Sequence, residues 1–194
     1  MKSLFNVLSL CGVALAQTVA YTDPATKITF QSWTDPKSGV RVSVALPQNA
    51  TTDLIAQIQA PLKGGIGWAG IALGPVMVYS PLIAVWSHAN KTQTTVRRTE
   101  KYMPPPVYKS DIVLKTIAAG TSVNATHLTY TFLCAKCSFS GVRMGWAMST
   151  DPVPTPEDAD GSMLGFHKAG FGGFTVDVEK AQNAGFAGWA TTAA

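Results

Sequence analysis

The feature that most constrains this chain is its punctuation. Short runs rich in Val, Ile, Thr and aromatic residues alternate with clusters of Gly, Pro, Asn and Asp, which is how strands separated by turns read. The runs are Ile28–Trp33, Val40–Leu46, Leu54–Ala60, Trp68–Leu73, Leu82–Ser87, Thr94–Thr99, Ile112–Ile117, His127–Leu133, Val142–Met148 and Gly173–Val178. No long helical period interrupts them, so the expected fold is all-β, an antiparallel β-sandwich of immunoglobulin-like layering. Alternation assigns faces: Val40, Val42, Val44 and Leu46 share one, with Arg41, Ser43 and Ala45 on the other, and Val142, Met144, Trp146 and Met148 share another. Those apolar faces are expected in the core. The stretch Glu179–Ala194 reads as a short helix and a tail, with Trp189 placed to pack.

Two stretches fit neither strand nor ordinary turn. One is the apolar loop Gly74–Pro81; the other is Gly161–Gly173, GSMLGFHKAGFGG, rich in Gly and Phe around His167. Long apolar loops usually cover something. The small residues beside His167 let a flat, bulky group approach the backbone, and Phe166, Phe171 and Phe174 are placed to line an apolar wall. The bland reading of His167 is a satisfied structural histidine, and that of Met77 and Met163, the methionines of the two loops, is gap-filling. His88 and His127 lie near Asn90 and Asn124 and are expected to face water.

The first sixteen residues, MKSLFNVLSLCGVALA, combine Lys2, an apolar centre and an Ala14-x-Ala16 end, which predicts a secretory signal peptide at 1–16 and a single exported domain at 17–194. Beyond that leader no apolar run approaches the roughly eighteen residues of a membrane helix. Fifteen Lys and Arg against eleven Asp and Glu give a net charge of +4. No basic block forms, which argues against nucleic acid as a partner. With 46% hydrophobic and 13% charged residues the chain is too apolar to be disordered.

Of three cysteines, Cys11 leaves with the leader, so Cys134 and Cys137 form an even pair in an oxidising compartment and are expected to make one disulfide. Its small ring contributes about 2 kcal/mol and chiefly fixes a bend. A zinc site would need two further ligands that are hard to find. Sequons at Asn49, Asn90 and Asn124 mark expected surface positions and candidate glycosylation sites.

Catalytic constellations are sparse. There is no Gly-x-Ser-x-Gly elbow and no Gly-x-Gly-x-x-Gly after a strand, and Glu157, Asp158 and Asp160 follow two prolines in what reads as a solvated loop.

The residues taken together resemble a known family. Tyr21-Thr-Asp-Pro24 with Ile28-Thr-Phe30, Trp68-Ala-Gly-Ile-Ala-Leu-Gly74 with Met77 beyond it, Leu82-Ile-Ala-Val-Trp86, Tyr102 before a Pro-rich turn ending in Tyr108, Asn124-x-Thr-His127 leading to Cys134-x-x-Cys137, Gly145-Trp-Ala147, and His167 ahead of Gly170-Phe-Gly-Gly-Phe174 are similar, in order, to the cytochrome domain of fungal cellobiose dehydrogenase. That is a DOMON-type b-type cytochrome, and the resemblance covers nearly the whole chain past the leader.

The resemblance implies a non-covalent haem b in a pocket formed by loops at one side of the sandwich, with Met77 and His167 as the axial ligands of iron. Trans-axial ligands must come from opposite faces of the ring. Met163, four residues from His167, would have to pass its chain around the ring edge, whereas Met77 on a distant loop would not. Tyr102 matches the family's propionate-facing tyrosine, and Arg98, beside Arg97 and Lys101, is the candidate cation there. The implied role is single-electron transfer by a secreted monomer, from a flavin dehydrogenase to an acceptor such as a lytic polysaccharide monooxygenase, with no turnover by this domain alone. The family's flavin-domain fingerprint is not in this chain, so oxidation of cellobiose is not assigned to it. The alternative from another class is a haem-free sandwich of the same fold that binds carbohydrate through exposed aromatics; a secreted catalytic enzyme ranks third.

Overall fold

The punctuated runs become two antiparallel sheets in a computed structural model that describes residues 17–49, 51–139 and 141–194; the expected leader lies outside the described residues. The strands are β1 (Val19–Thr22), β2 (Thr29–Thr34), β3 (Arg41–Pro47), β4 (Leu54–Pro61), β5 (Trp68–Ala72), β6 (Leu82–His88), β7 (Lys91–Arg97), β8 (Val113–Thr116), β9 (Ser122–Val123), β10 (His127–Ala135), β11 (Arg143–Ser149), β12 (Gly170–Thr175) and β13 (Gln182–Asn183). An eight-stranded sheet has the order β1-β2-β3-β4-β10-β8, with β9 beside β10 and β13 parallel to β3. A five-stranded sheet runs β12-β11-β5-β6-β7. Short helices α1 (Val178–Ala181) and α2 (Phe186–Ala190) follow the last long strand. Among the described residues no helix is long and apolar enough to cross a membrane.

The core lies where the alternation places it, with one exception: Val142 precedes β11 and is 53% exposed. Val40, Val42, Val44 and Leu46 of the larger sheet meet Ile71, Ile83, Val85, Met144, Trp146 and Met148 of the smaller. Trp33 closes one end of this layer, 5.5 Å from the Trp146 ring and stacked 5.7 Å from Phe174. Cys134 and Cys137 are disulfide-bonded at the end of β10, with Cα atoms 5.7 Å apart.

The observed strands depart from the expected runs in three instructive places. On β3 the second face is also buried: Ser43 and Ala45 are both inaccessible, because α2 and the chain end cover the outside of the larger sheet. On β7 pairing starts at Lys91, since Ala89 and Asn90 (φ 49° and 60°) make a two-residue turn that matches strand twist. On β12 pairing starts at Gly170 although glycine favours no strand. The reason is packing: a Cβ on Gly170 would sit 2.8 Å from the Trp146 ring, and one on Gly172 3.1 Å from its Nε1. The glycines let the indole lie flat on the edge strand, a close approach that composition alone reads as loop.

Candidate cofactor-binding site

The outer face of the smaller sheet carries the site, because register strips it of bulk there. Across the sheet, Gly173 opposes Gly145, Gly145 opposes Ala72, and Ala72 opposes Leu82. One row over, Phe171 opposes Ala147, Ala147 opposes Gly70, and Gly70 opposes Ala84. A cavity of about 660 Å³ opens on this face, with Ala72, Gly145, Ala147 and Gly173 in its floor. A Cβ on Gly145 would lie 3.3 Å from the Ala72 Cβ, so the centre of the floor has no room for a side chain. The volume is that of a small-molecule or cofactor site.

All four expected site residues line this one cavity: Met77, Arg98, Tyr102 and His167. They arrive from separate segments, and hydrogen bonds to β7 and the chain just beyond it hold those segments in place. The loop bearing Met77 is closed by the Leu73 amide donating to the Pro81 carbonyl at 2.9 Å, and tied down by the Tyr79 amide donating to Thr99 at 2.8 Å. Arg98 Nε donates to the Tyr79 carbonyl at 3.0 Å, and its Nη1 lies 3.2 Å from the Tyr108 hydroxyl. Arg98 therefore braces the Met77 loop while its guanidinium reaches the cavity.

Arg97 does a different job. It is buried, donating through Nη2 to the carbonyls of Ala159 at 2.6 Å and Ser162 at 2.8 Å, which pins the segment leading to His167. Burial pulls its pKa down, and the nearby Asp160 and Asp158 carboxylates oppose that. The acidic cluster thus helps compensate a buried guanidinium. Lys101 does not line the cavity, and Tyr102 stands at the mouth, 83% exposed.

His167 is half-buried between Phe166 and Phe171. Its Nδ1 is shut off from solvent without a hydrogen-bond partner, so the ring meets the cavity with its other edge. Burial lowers its pKa below the usual histidine value, outweighing a contact with its own backbone that raises it, which favours the neutral form with a lone pair to give. Two expectations are corrected. Phe174 does not join the wall of the site but packs in the core, 2% exposed, whereas Phe166 and Phe171 do line the cavity. The pocket is not built from loops alone, because strand residues make its floor. Met163 is exposed and does not line the cavity. His88 and His127 lie elsewhere, and Asn49, Asn90 and Asn124 are exposed.

The arrangement fits a flat, iron-bearing macrocycle with acidic side arms. A thioether and a neutral imidazole from separate segments can meet iron, Gly and Ala accept a planar edge, and Arg98 and Tyr102 can meet carboxylates at the mouth. Among the described residues no group of three His, Cys, Asp or Glu side chains is placed to hold a metal ion.

Comparison with known proteins points the same way. Residues 21–188 match the family described as the cytochrome domain of cellobiose dehydrogenase. Among solved structures, the cytochrome domain of Myriococcum thermophilum cellobiose dehydrogenase superposes with a TM-score of 0.83 at 28% identity, over 91% of this chain and 96% of that one. The cytochrome b domain of pyranose dehydrogenase from Coprinopsis cinerea superposes with a TM-score of 0.80 at 22% identity, over 90% and 95%, a likeness of fold.

Proposed function

The chain belongs to the family of cellobiose dehydrogenase cytochrome domains, and from that premise we propose that it is a b-type cytochrome carrying single electrons between redox proteins. One observation carries the reading: Met77, Arg98, Tyr102 and His167 converge on one cavity with a floor of Gly and Ala. When bound, the haem supplies a one-electron couple. The chain's own residues do the rest. Met77 and His167 would hold its iron, the thioether favouring the reduced state more than a second imidazole would. Arg98 and Tyr102 would bind its propionates, and the Gly and Ala floor would exclude water from that side of the cavity.

With Met77 and His167 both bound to iron, electron transfer would be outer-sphere, through a small, transient contact with a partner near Tyr102. The proposed donor is a flavin dehydrogenase, and the proposed acceptor is of the kind represented by lytic polysaccharide monooxygenases. Export of the chain as a monomer, with glycans at some of its three sequons, completes the proposal. A haem-free carbohydrate module would also expose aromatics; here Tyr102, Phe166 and Phe171 line a cavity of about 660 Å³, which favours a bound cofactor.

The test is an absorption spectrum of the purified protein before and after dithionite, with carbon monoxide added to the reduced form. A Soret band that sharpens on reduction and ignores carbon monoxide is expected in the wild type, and loss of the low-spin form is expected in His167→Ala. A prompt carbon monoxide shift in the wild type would refute Met/His ligation, and a colourless protein that retains polysaccharide would favour the binding module.

A further inference from the structure

Histidines that ligate metals usually donate their second ring N–H to a carboxylate or a backbone carbonyl, which fixes the ring's rotation and raises its basicity. For His167 the one such group at hand is its own backbone. Its Nδ1 is buried and makes no hydrogen bond of good geometry. The ring is instead held by two phenyl groups, with the Phe166 centroid 4.4 Å away at 35° and the Phe171 centroid 4.3 Å away at 55°.

Both phenyl groups are themselves held by backbone. The Lys168 amide donates to the Phe166 carbonyl at 2.8 Å and the Gly170 amide to the His167 carbonyl at 3.1 Å, while Phe171 is fixed by pairing with Ala147. Phe166 is 65% and Phe171 64% exposed, both line the cavity, and the imidazole is the aromatic contact they share.

Resting on the cytochrome reading above, we propose that Phe166 and Phe171 are positioning residues for His167, clamping the imidazole in one rotation where other proteins use a hydrogen-bond acceptor. Two consequences follow from the chemistry. The ring plane is set by packing, so loss of either phenyl frees it to rotate. The Nδ1–H finds no acceptor beyond its own backbone, so His167 donates less charge than an imidazole hydrogen-bonded to a carboxylate and the oxidised iron is less favoured.

The experiment compares wild type, Phe171→Leu, Phe166→Leu and Phe171→Tyr as haem-loaded proteins, by electron paramagnetic resonance of the ferric form, by potentiometry and by haem retention. The wild type is expected to give one low-spin signal. Each Leu variant is expected to give a broadened signal or more than one, an altered potential and haem affinity reduced about tenfold. Phe171→Tyr keeps the ring and is expected to retain the wild-type signal. A wild-type protein without a low-spin haem signal would withdraw the cytochrome reading and the clamp together. A normal wild type whose Leu variants keep signal, potential and affinity would overturn the clamp alone, and slower transfer to a partner with unchanged spectra would reassign the two rings to docking.

Discussion

The two sheets of this sandwich present outer faces that solve the same problem in opposite ways. On the larger sheet the chain covers itself: Phe186 and Trp189 of α2 lie over Phe30, Ala45, Ile55 and Ile117, and Ala194 exchanges backbone hydrogen bonds with Thr116 at 2.9 and 3.0 Å. Beside that apolar patch a polar row is also sealed. Ser32 donates to Ser43 at 2.7 Å, and Gln57 to Thr131 at 2.9 Å. On the smaller sheet Val153 and Leu164 cover Trp68 and Trp86 at one end of the corresponding face, and the rest is cut back to Gly and Ala and faces a cavity lined by aromatic and cationic side chains. One face is completed by the chain's own sequence, and part of the other is shaped to be completed by something else. Stability and function are thereby placed on opposite sides of one core.

The contrast can be broken most sharply from the functional side. Ala72→Phe projects a ring from the floor into the cavity and is expected to lower haem retention about tenfold or more, with thermal unfolding of the protein moving far less. The ratio of Soret to protein absorbance, measured beside the unfolding curve, checks it. The reverse experiment is Phe186→Ala, which empties a site that is 7% exposed on the other face and is expected to cost about 3 kcal/mol in denaturant unfolding while the spectrum of the folded fraction stays as it was. Equal damage to stability and spectrum in either variant would mean that the two faces are not separable.

Smaller effects sharpen the comparison. Asp23 is tucked against the self-covered face, where burial alone would push its pKa up; hydrogen bonds from the Thr26 side chain and amide, and from Gln57 and Tyr21, prevail and hold it below the ordinary 3.8. The native state therefore binds that proton less readily than the unfolded chain does. Its contribution is complete above about pH 4 and is lost as pH falls through the lowered native value. Asp23→Asn is expected to flatten the decline of stability in that range, read from unfolding curves at successive pH values. Smallest of all, the exposed pair of Lys168 and Asp151, 2.7 Å apart beside the site, is expected to contribute no more than about 0.5 kcal/mol, so Lys168→Ala should leave both stability and spectrum nearly unchanged.

How far the sequence anticipates these faces depends on the kind of information each requires. Met77, Tyr102 and His167 are legible because they stand in loops of odd composition that match a family in order. The core of β3 and β11 is legible because period two is printed in the residues themselves. The floor is not, because the row Gly173, Gly145, Ala72 and Leu82 exists only once three registers are known, and a glycine in one strand carries no mark of its partner in the next. The three phenylalanines fail for a related reason. Read as a loop, Phe166, Phe171 and Phe174 can share a wall; in a strand, residues 171 and 174 are an odd number apart and must face opposite sides. Arg97 and Arg98 could not be phased either, since the Thr- and Gln-rich β7 offers no apolar alternation to read.

Those two arginines also change what counts as the heart of the site. Arg97 grips carbonyls on the segment that leads to His167, and Arg98 grips the carbonyl of Tyr79 on the Met77 loop. Neighbours on one chain, they act as the two jaws of a caliper, and what it gauges is the spacing of the two loops that line the cavity. Because both jaws grasp backbone, the loops can exchange side chains without losing the gauge, provided they present an oxygen in the right place. The gauge itself is intolerant of shift. One residue added or removed ahead of Arg97 would move both jaws at once, so the least conspicuous strand of the smaller sheet is where this architecture has the least freedom to drift.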